Sequence, residues 1–257
     1  MNAPLVSIVI PNYNLARFVG EAITSALAQT HPAVEVVIVD DGSTDNSVEV
    51  IEEHLARCEP DARARARLIR RTNGGVCHAR NDGAAAARGE YLVFFDADDV
   101  LEPTYVARCL EALLASPPSV GYAYTKMRLF GRENMIFEAR PFDASRLLVQ
   151  NFVHVAALMR RRHFDEVGGW NPAWSVGYED HELWVRLLSH GYEGVFVPEP
   201  LLRYRRHGPS RNDLPPAKAR QIHWKLMISY PRLCWRTIAR HPLHAIRAVI
   251  RERSGGP

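Results

Sequence analysis

The sequence has little cysteine and no long apolar run, and these two shortages exclude several classes of protein. Its four cysteines form no C-x-x-C pair and match no zinc framework, so we expect a reduced, cytoplasmic protein. No stretch approaches the roughly 18 apolar residues that a membrane span needs. The first apolar run, residues 5–10, is too short for a signal peptide. With 47% hydrophobic and 24% charged residues, the 257-residue chain has the composition of a folded globular protein.

Acidic residues are nearly absent from the C-terminal segment. Residues 217–257 contain nine Lys and Arg and one acid, Glu252, so this segment carries +8 and the rest carries −5. Its apolar residues follow helical spacing that Pro231 and Pro242 are expected to break. Two interpretations stay open for this segment. It is either a helix packed on the domain with a solvated basic face, or an interfacial helix on an anionic membrane.

A glycine-rich loop is missing after the first predicted strand. The β-branched run of residues 5–10 leads into Pro11 and the sequence Pro-Asn-Tyr-Asn. A Rossmann-type oxidoreductase would have G-x-G-x-x-G there. A nucleotidyltransferase would have a glycine-rich loop carrying Lys or Arg. Both classes are therefore disfavoured.

Predicted strands and helices alternate over the first hundred residues. The strands are predicted at residues 5–10, 34–39, 68–69 and 91–95. Continuous apolar strands that alternate with amphipathic helices predict an α/β fold whose parallel sheet is covered on both faces. Ligands bind beyond the carboxyl ends of the strands in such sheets. This rule brings three segments to one edge: residues 11–14, 40–43 and 96–99.

Three carboxylates, Asp96, Asp98 and Asp99, follow the fourth predicted strand. Packed carboxylates repel one another, so the cluster needs a cation or hydrogen-bond donors. Hard oxygen ligands suit Mg²⁺ or Mn²⁺, and both ions pair well with a diphosphate. The alternative is a helix cap, with Asp99 capping a helix that begins near Glu102. Capping accounts for Asp99 alone, so the sequence predicts a metal-diphosphate site here.

The second half of the chain is less regular. We predict strands at residues 120–130, 135–137, 195–197 and 201–204, and a helix at residues 179–190. Trp170 and Trp174 precede this helix, and they are either sugar-stacking platforms or core residues.

Taken in order, these segments resemble the family 2 glycosyltransferases, which have the nucleotide-diphospho-sugar transferase (GT-A) fold. The match covers roughly residues 5–207 and rests on several ordered motifs. They are VSIVIPNYN (6–14), VDDGSTD (39–45), NGG with ARN (73–81), the segment from GEY to the acidic cluster (89–99), and GYED followed by Leu183, Trp184 and Arg186. The resemblance implies a Rossmann-like, mostly parallel central sheet with flanking helices and a C-terminal helical tail.

The resemblance also implies a domain organisation. We expect a GT-A domain over residues 1–212, with a nucleotide-binding half (1–100) and an acceptor-binding half (101–212). The basic amphipathic tail would follow at residues 213–257.

The implied reaction moves a sugar from a nucleoside diphosphate, expected to be UDP, to an acceptor hydroxyl with inversion at the anomeric carbon. Mn²⁺ or Mg²⁺ would neutralise the leaving diphosphate. The implied base is Asp180, with Glu179 second, because a helix N-terminus keeps a carboxylate ionised. The implied nucleotide-binding residues are Pro11, Tyr13, Asp40, Asp41, Arg80, Asp96 and Ala97, and the implied metal ligands are Asp98, Asp96 and His207.

Several of these residues have a structural alternative. Tyr13 would stack on the nucleobase, or it is a structural residue at a strand end. Asp41 would accept a hydrogen bond from the base. Asp40 would take this role in place of Asp41, or it is a turn residue. Arg80 would reach base or phosphate, or form a surface salt bridge. His207 lies in a basic loop that is either solvated or closed over phosphate.

The partners follow from the same resemblance. They are a nucleotide-sugar donor and a glycan or lipid-linked acceptor in cell-surface polysaccharide or glycolipid synthesis, with no nucleic acid. The sequence lacks the Gln-x-x-Arg-Trp motif of processive synthases, which favours single addition. We expect a cytoplasmic location, with the tail offering a peripheral contact to the inner face of the plasma membrane. The alternative function is a non-catalytic module that binds sugar nucleotides or glycans on the same fold.

Overall fold

The computed structural model describes residues 3–137, 139–174, 177–208 and 216–240. Nine strands in these ranges form one mixed sheet with helices on both faces. The strands are β1 (Val6–Asn12), β2 (Val34–Asp40), β3 (Ala66–Arg70), β4 (Tyr91–Phe94), β5 (Val100–Leu101), β6 (Val120–Gly131), β7 (Met135–Phe137), β8 (Leu158–Arg160) and β9 (Glu193–Arg206). The helices are α1 (Val19–Leu27), α2 (Ser47–Arg57), α3 (Pro60–Ala64), α4 (Val76–Ala86), α5 (Tyr105–Leu114), α6 (Ala144–Leu147), α7 (Arg161–Glu166), α8 (Glu179–Ser189), α9 (Pro216–Ser229) and α10 (Pro231–Arg240).

The strand order places the predicted segments at one edge of the sheet. The order is β3-β2-β1-β4-β8-β6-β9-β5, with β7 paired to β6, and the first four strands are parallel. Asn12 of β1 lies beside Asp40 of β2, and Val9 lies beside Phe94 of β4. The carboxyl ends of three neighbouring strands therefore meet, and the predicted α/β fold is confirmed. Strand β4 also pairs with β8, so the two predicted halves share one sheet.

Strand β1 runs through Pro11 to Asn12, two residues beyond the predicted end. Because the Asn12 carbonyl accepts a hydrogen bond from the Asp41 N–H on the β2 side, the backbone of Pro11 faces the β4 side. Strand β4 has already ended there, at Phe94. Proline lacks a backbone N–H, but no hydrogen bond of the sheet is lost at this position.

The two short strands predicted near the end of the domain form one continuous strand, β9. Its parallel pairing with β6 shifts between Thr125, which lies opposite Val197, and Lys126, which lies opposite Pro200. This irregularity accommodates the proline-containing stretch that interrupts the sequence pattern.

The tail packs on the domain through one face of its two helices. Leu226 of α9 and Cys234 of α10 are buried in the same apolar cluster as Leu147 and Leu183. The predicted break at Pro231 is confirmed, because α10 begins there, whereas Pro242 lies outside the described residues. Within the described ranges, no helix combines the length and apolar character that crossing a bilayer requires.

Gly83 controls how closely α4 approaches the sheet. A Cβ at this position would collide with Cγ1 of Val9 and lie 3.1 Å from Cγ2 of Val39. We therefore expect Gly83→Ala to destabilise the protein by about 1–3 kcal/mol through overpacking, even though alanine favours a helix. Urea unfolding measures this change. The control is Ala85→Gly at an exposed position of the same helix, which should lower the free energy of unfolding by about 1 kcal/mol. A Gly83→Ala variant that is more stable than the wild type would contradict the close packing.

Candidate active site

The loop after β2 is tied to the end of β1 through Asp40. The buried Asp40 carboxylate accepts hydrogen bonds from the Asn12 side-chain amide at 2.8 Å and from the Ser43 hydroxyl at 2.6 Å. It also accepts one from the Ser43 backbone N–H at 3.0 Å. Asp40 is therefore a turn residue in this structure, which is one of the two roles that the sequence suggested for it.

Asp41 joins this loop to the segment after β3. Its buried carboxylate accepts the backbone N–H groups of Gly74 at 3.0 Å and Gly75 at 2.8 Å, and it forms an ion pair with Arg71. A carboxylate offers about four acceptor positions, and these contacts use three of them. Gly42 adopts φ +71°, and a Cβ there would lie 2.7 Å from the Asn73 N, so this close approach requires glycine. The anchoring role of Arg71 was not predicted, since no sequence pattern links it to Asp41.

Tyr13 is the exposed aromatic residue at this edge. It follows the end of β1, and 47% of its surface is accessible, whereas Pro11 is buried within the strand. An exposed ring at the carboxyl end of a parallel strand has a free face for stacking. Its contact with a nucleobase stays a prediction.

The three acids after β4 have different surroundings. The side chains of Asp96 and Asp98 are partly exposed, Asp99 is buried, and Ala97 between them is fully buried. Burial raises the pKa of Asp98, and the neighbouring Asp96 raises it further, while His207 opposes the shift. Burial also raises the pKa of Asp99 well above its usual range, with Asp98 and Asp96 adding to the effect.

Asp99 does not cap a helix, so that interpretation is wrong. Helix α5 begins at Tyr105, and its N-cap residue, Thr104, makes no side-chain capping bond. The Asp99 carboxylate instead accepts the backbone N–H of Arg205, from β9, at 2.8 Å. The local spacing suggested a cap, but the donor comes from a strand more than a hundred residues later.

Arg205 holds the backbone of residues 96–99, which we name the acidic loop, in place. Its Nε donates to the Asp98 carbonyl at 2.7 Å, and its guanidinium forms an ion pair with Glu21 of α1. The guanidinium also lies over the rings of Phe18 at 5.0 Å and Phe130 at 4.3 Å. Arg205 therefore fixes the acidic loop against α1 and β6.

His207 is directed at the acidic loop. Its Nε2 lies 2.9 Å from Oδ2 of Asp98, and its ring centroid lies 4.5 Å from that of Phe18. Within the described residues, no cluster of three or more His, Cys, Asp or Glu side chains is arranged to hold a metal. Asp98 and His207 nevertheless suit Mg²⁺ or Mn²⁺ in a site completed by phosphate oxygens, which such sites commonly use. One carboxylate oxygen and one imidazole nitrogen, 2.9 Å apart and directed at each other, form a donor pair that fits such a cation.

Arg80 joins the acidic loop to the start of α8. It is almost fully buried, and it forms ion pairs with Asp96 at 2.8 Å and with Glu179 at 3.2 Å. Its guanidinium lies 4.5 Å above the ring of Trp170. The surface salt bridge considered for Arg80 is therefore wrong, because the Arg80 side chain is buried. Direct contact of Arg80 with base or phosphate stays a prediction.

Asp180 lies next to this bridge. Its Oδ2 accepts the Asn151 side-chain amide at 2.9 Å, and its Oδ1 lies 2.7 Å from the His181 N–H. Burial and the neighbouring Glu179 raise the pKa of Asp180 to about 7, although the His181 N–H, Arg80 and Asn151 lower it. A carboxylate with this pKa can exchange a proton near neutral pH. Asn151 was not predicted, and its place in a loop of the second half gives no sequence signal.

The two tryptophans before α8 are core residues. Trp170 is 1% exposed and Trp174 is 6% exposed, so neither presents a face to a sugar. Trp170 instead supports Arg80, and its backbone is fixed by Asn81, whose side chain exchanges hydrogen bonds with the Trp170 N–H at 2.9 Å and carbonyl at 2.8 Å.

Solved structures with the same architecture define the fold. The mannosyltransferase PcManGT from Pyrobaculum calidifontis, in complex with GDP-Man and Mn²⁺, has a TM-score of 0.68 at 22% identity over 100% of this chain and 77% of that one. Residues 1–349 of S. aureus TarS, in complex with UDP-GlcNAc, have a TM-score of 0.68 at 17% identity over 92% of this chain and 72% of that one. The fold is therefore that of the GT-A glycosyltransferases.

Sequence comparison identifies the family. Residues 7–168 match glycosyl transferase family 2, and residues 91–251 match glycosyl transferase family group 2. The chain belongs to glycosyl transferase family 2. It is 42% identical to chondroitin synthase of Pasteurella multocida over 192 residues, which are 73% of this chain and 19% of that protein. The chain spans a third or less of the length of several curated relatives that it matches.

Arg205 offers a direct test of how the acidic loop is held. We expect Arg205→Lys to lower the free energy of unfolding by about 1–2 kcal/mol, because lysine cannot reproduce the planar contacts and the Nε bond to the Asp98 carbonyl. Urea unfolding measures the loss, and hydrogen exchange should show faster exchange of the amides at residues 96–99. The control is Arg203→Lys, since Arg203 also lies over Phe130, at 4.6 Å. Equal effects of the two variants on loop exchange would contradict the anchoring role.

Proposed function

We propose that this protein is an inverting glycosyltransferase that moves a sugar from a nucleoside diphosphate to an acceptor hydroxyl. The observation that carries the proposal is the Arg80 bridge, which holds Asp96 and Glu179 on one guanidinium. It brings the acidic loop, suited to a diphosphate and its cation, next to Asp180, suited to accept a proton. An inverting transfer needs these two elements on opposite sides of the sugar.

In the proposed mechanism, Asp180 accepts the proton of the acceptor hydroxyl as that oxygen attacks the anomeric carbon. Its raised pKa makes it a base that functions near neutral pH. Asp98 and His207 would hold a divalent cation, Mn²⁺ or Mg²⁺, whose charge stabilises the departing diphosphate. Asn151 and the N–H of His181 hold the Asp180 carboxylate in position through the hydrogen bonds described above.

We propose a uridine nucleotide as the donor, bound by the edge that contains Tyr13 and Asp41. The Tyr13 ring is exposed for stacking, and the fixed Asp41 carboxylate retains one acceptor position for a base N–H. The solved neighbours are complexes with UDP-GlcNAc and with GDP-Man, so the fold accepts more than one base. For the acceptor we propose a glycan or a lipid-linked glycan. We also propose a cytoplasmic location, because no disulfide is formed among the described residues.

The decisive experiment separates donor binding from transfer. UDP-, dTDP- and GDP-sugars are screened with Mn²⁺ by thermal shift, and the sugar that binds is then assayed for transfer and for hydrolysis. We expect Asp98→Asn to weaken both Mn²⁺-dependent donor binding and turnover. We expect Asp180→Asn to bind the donor normally and to lose transfer by about 10²–10⁴-fold, because it removes the base.

The matched control for these variants is Asp165→Asn, at an exposed position on α7, which should leave binding and transfer unchanged. Donor binding by the wild type without any turnover would favour the non-catalytic alternative. Loss of donor binding in Asp180→Asn would show that Asp180 is structural.

The pKa of Asp180 predicts the pH dependence of transfer. Asp180 must be ionised to accept a proton, so kcat/KM should rise as pH increases through about 7 and should then level off. The charged and titratable groups that face it are Glu179 and Tyr178 from the start of α8 and Arg80 from α4. A pH series of initial rates measures the profile. An unchanged rate down to about pH 5 would exclude Asp180 as the base.

Stability must be followed over the same pH series. The folded-state pKa of Asp180 lies above its unfolded value of about 4, so the folded protein binds the additional proton. This contribution to stability is present below about pH 4 and declines as pH rises towards 7. Burial lowers the pKa of His154 to about 3 and that of His163 to about 4, and these two groups add stability as pH rises over the same range. The contribution of Asp180 is therefore measured as the difference in stability between the wild type and Asp180→Asn, and this difference should fall as the rate rises.

A further inference from the structure

The outer face of the tail carries exposed apolar side chains. Three large side chains are strongly exposed there: Trp224 and Ile228 of α9, at 63% and 73%, and Trp235 of α10, at 72%. Trp224 and Ile228 are four residues apart and share a helix face, whereas Leu226 is buried against the domain. We name the set of Trp224, Ile228 and Trp235 the outer tail face.

The charge around this face has one sign. Residues 216–240 contain six Lys and Arg and no Asp or Glu, while the chain outside residues 217–257 has a net charge of −5. Exposed indoles flanked by cationic side chains are the composition of helices that lie in a membrane interface, where Trp prefers the headgroup region. Anionic lipid headgroups complement such a basic surface.

The tail is fixed to the domain, so its outer face has a defined orientation. Tyr230 donates its hydroxyl to Glu182 of α8 at 2.5 Å. Lys225 donates to the Ala173 carbonyl at 3.1 Å and lies 4.2 Å above the Trp174 ring. The inner face of the tail therefore rests on the segment that leads into α8, and α8 begins with Glu179 and Asp180.

We propose that the outer tail face binds the surface of an anionic lipid bilayer. A second copy of the chain fits this face poorly, because a two-fold interface would place two segments of the same positive charge against each other, and like charges repel. The proposal goes beyond the transferase activity and does not depend on it. Its consequence is that the helix carrying Asp180 is held close to the lipid surface.

The test uses the full chain and its own tryptophans. Trp170, Trp174 and Trp184 are buried, so only Trp224 and Trp235 among the five tryptophans are exposed to lipid. Vesicles of phosphatidylcholine, with and without phosphatidylglycerol, carry brominated acyl chains that quench indole fluorescence at short range. We expect quenching and co-sedimentation with the anionic vesicles only, with binding that weakens as salt is added.

Variants assign the binding to this face. We expect Trp224→Ala/Trp235→Ala to weaken vesicle binding, measured by co-sedimentation, by at least about tenfold, because the two exposed indoles that would enter the bilayer interface are lost. Arg232→Glu should weaken binding to anionic vesicles by about tenfold, because it reverses one charge of the basic surface. The control is Ile136→Ala, which removes an exposed apolar side chain of β7. Thermal melting confirms that each variant is folded.

Three outcomes would overturn the proposal. The first is wild-type protein that does not bind anionic vesicles. The second is binding that the double tryptophan variant retains in full. The third is a wild-type dimer, seen by analytical ultracentrifugation, that the double tryptophan variant converts to monomer without any vesicle binding, since a second copy would then cover the face. Transfer activity is assayed separately with a soluble acceptor, so a failure of lipid binding and a failure of the proposed reaction are distinguishable.

Discussion

The guanidinium of Arg80 is the charge on which the rest of the site depends. Removing a cation from water is costly, and the cost is offset here by two carboxylates and by the ring of Trp170. Asp96 follows β4, whereas Glu179 begins α8, so one buried side chain joins the first hundred residues to the second half of the chain. Loss of either carboxylate would leave Arg80 only partly compensated. The interaction therefore fixes the distance between the acidic loop and α8.

The same arrangement explains why Asp180 has a pKa near neutrality. Arg80 lies close enough to lower the pKa of Asp180, but its hydrogen bonds go to Asp96 and Glu179. Burial and the charge of Glu179 therefore dominate, and they favour the protonated form of Asp180. A carboxylate paired directly with an arginine would have a lowered pKa and would be a weak base. Because the preceding residue, Glu179, forms the ion pair with Arg80, Asp180 keeps its raised pKa.

The parts of the structure that sequence reasoning predicted are those set by local pattern. Continuous apolar runs predicted the parallel strands, and the edge rule brought the segments after β1, β2 and β4 together. The misassigned parts depend on contacts between distant segments. Asp99 resembled a cap until Arg205 of β9 supplied its donor, and the surface salt bridge considered as the alternative for Arg80 did not include Glu179, ninety-nine positions away. A charged residue in a helix gives no local sign of the partner that will enclose it.

The first turn of α8 contains three acids, and each is held by a different part of the chain. Glu179 is held by Arg80 of α4, Asp180 by Asn151 of the loop after α6, and Glu182 by Tyr230 of the tail. The helix dipole favours negative charge at this end, which reduces the cost of placing three acids together. Because α4, the loop after α6 and the tail all contact this one turn, a shift in any of them changes the surroundings of Asp180. The position of the tail is therefore coupled to the candidate base through a single turn of helix.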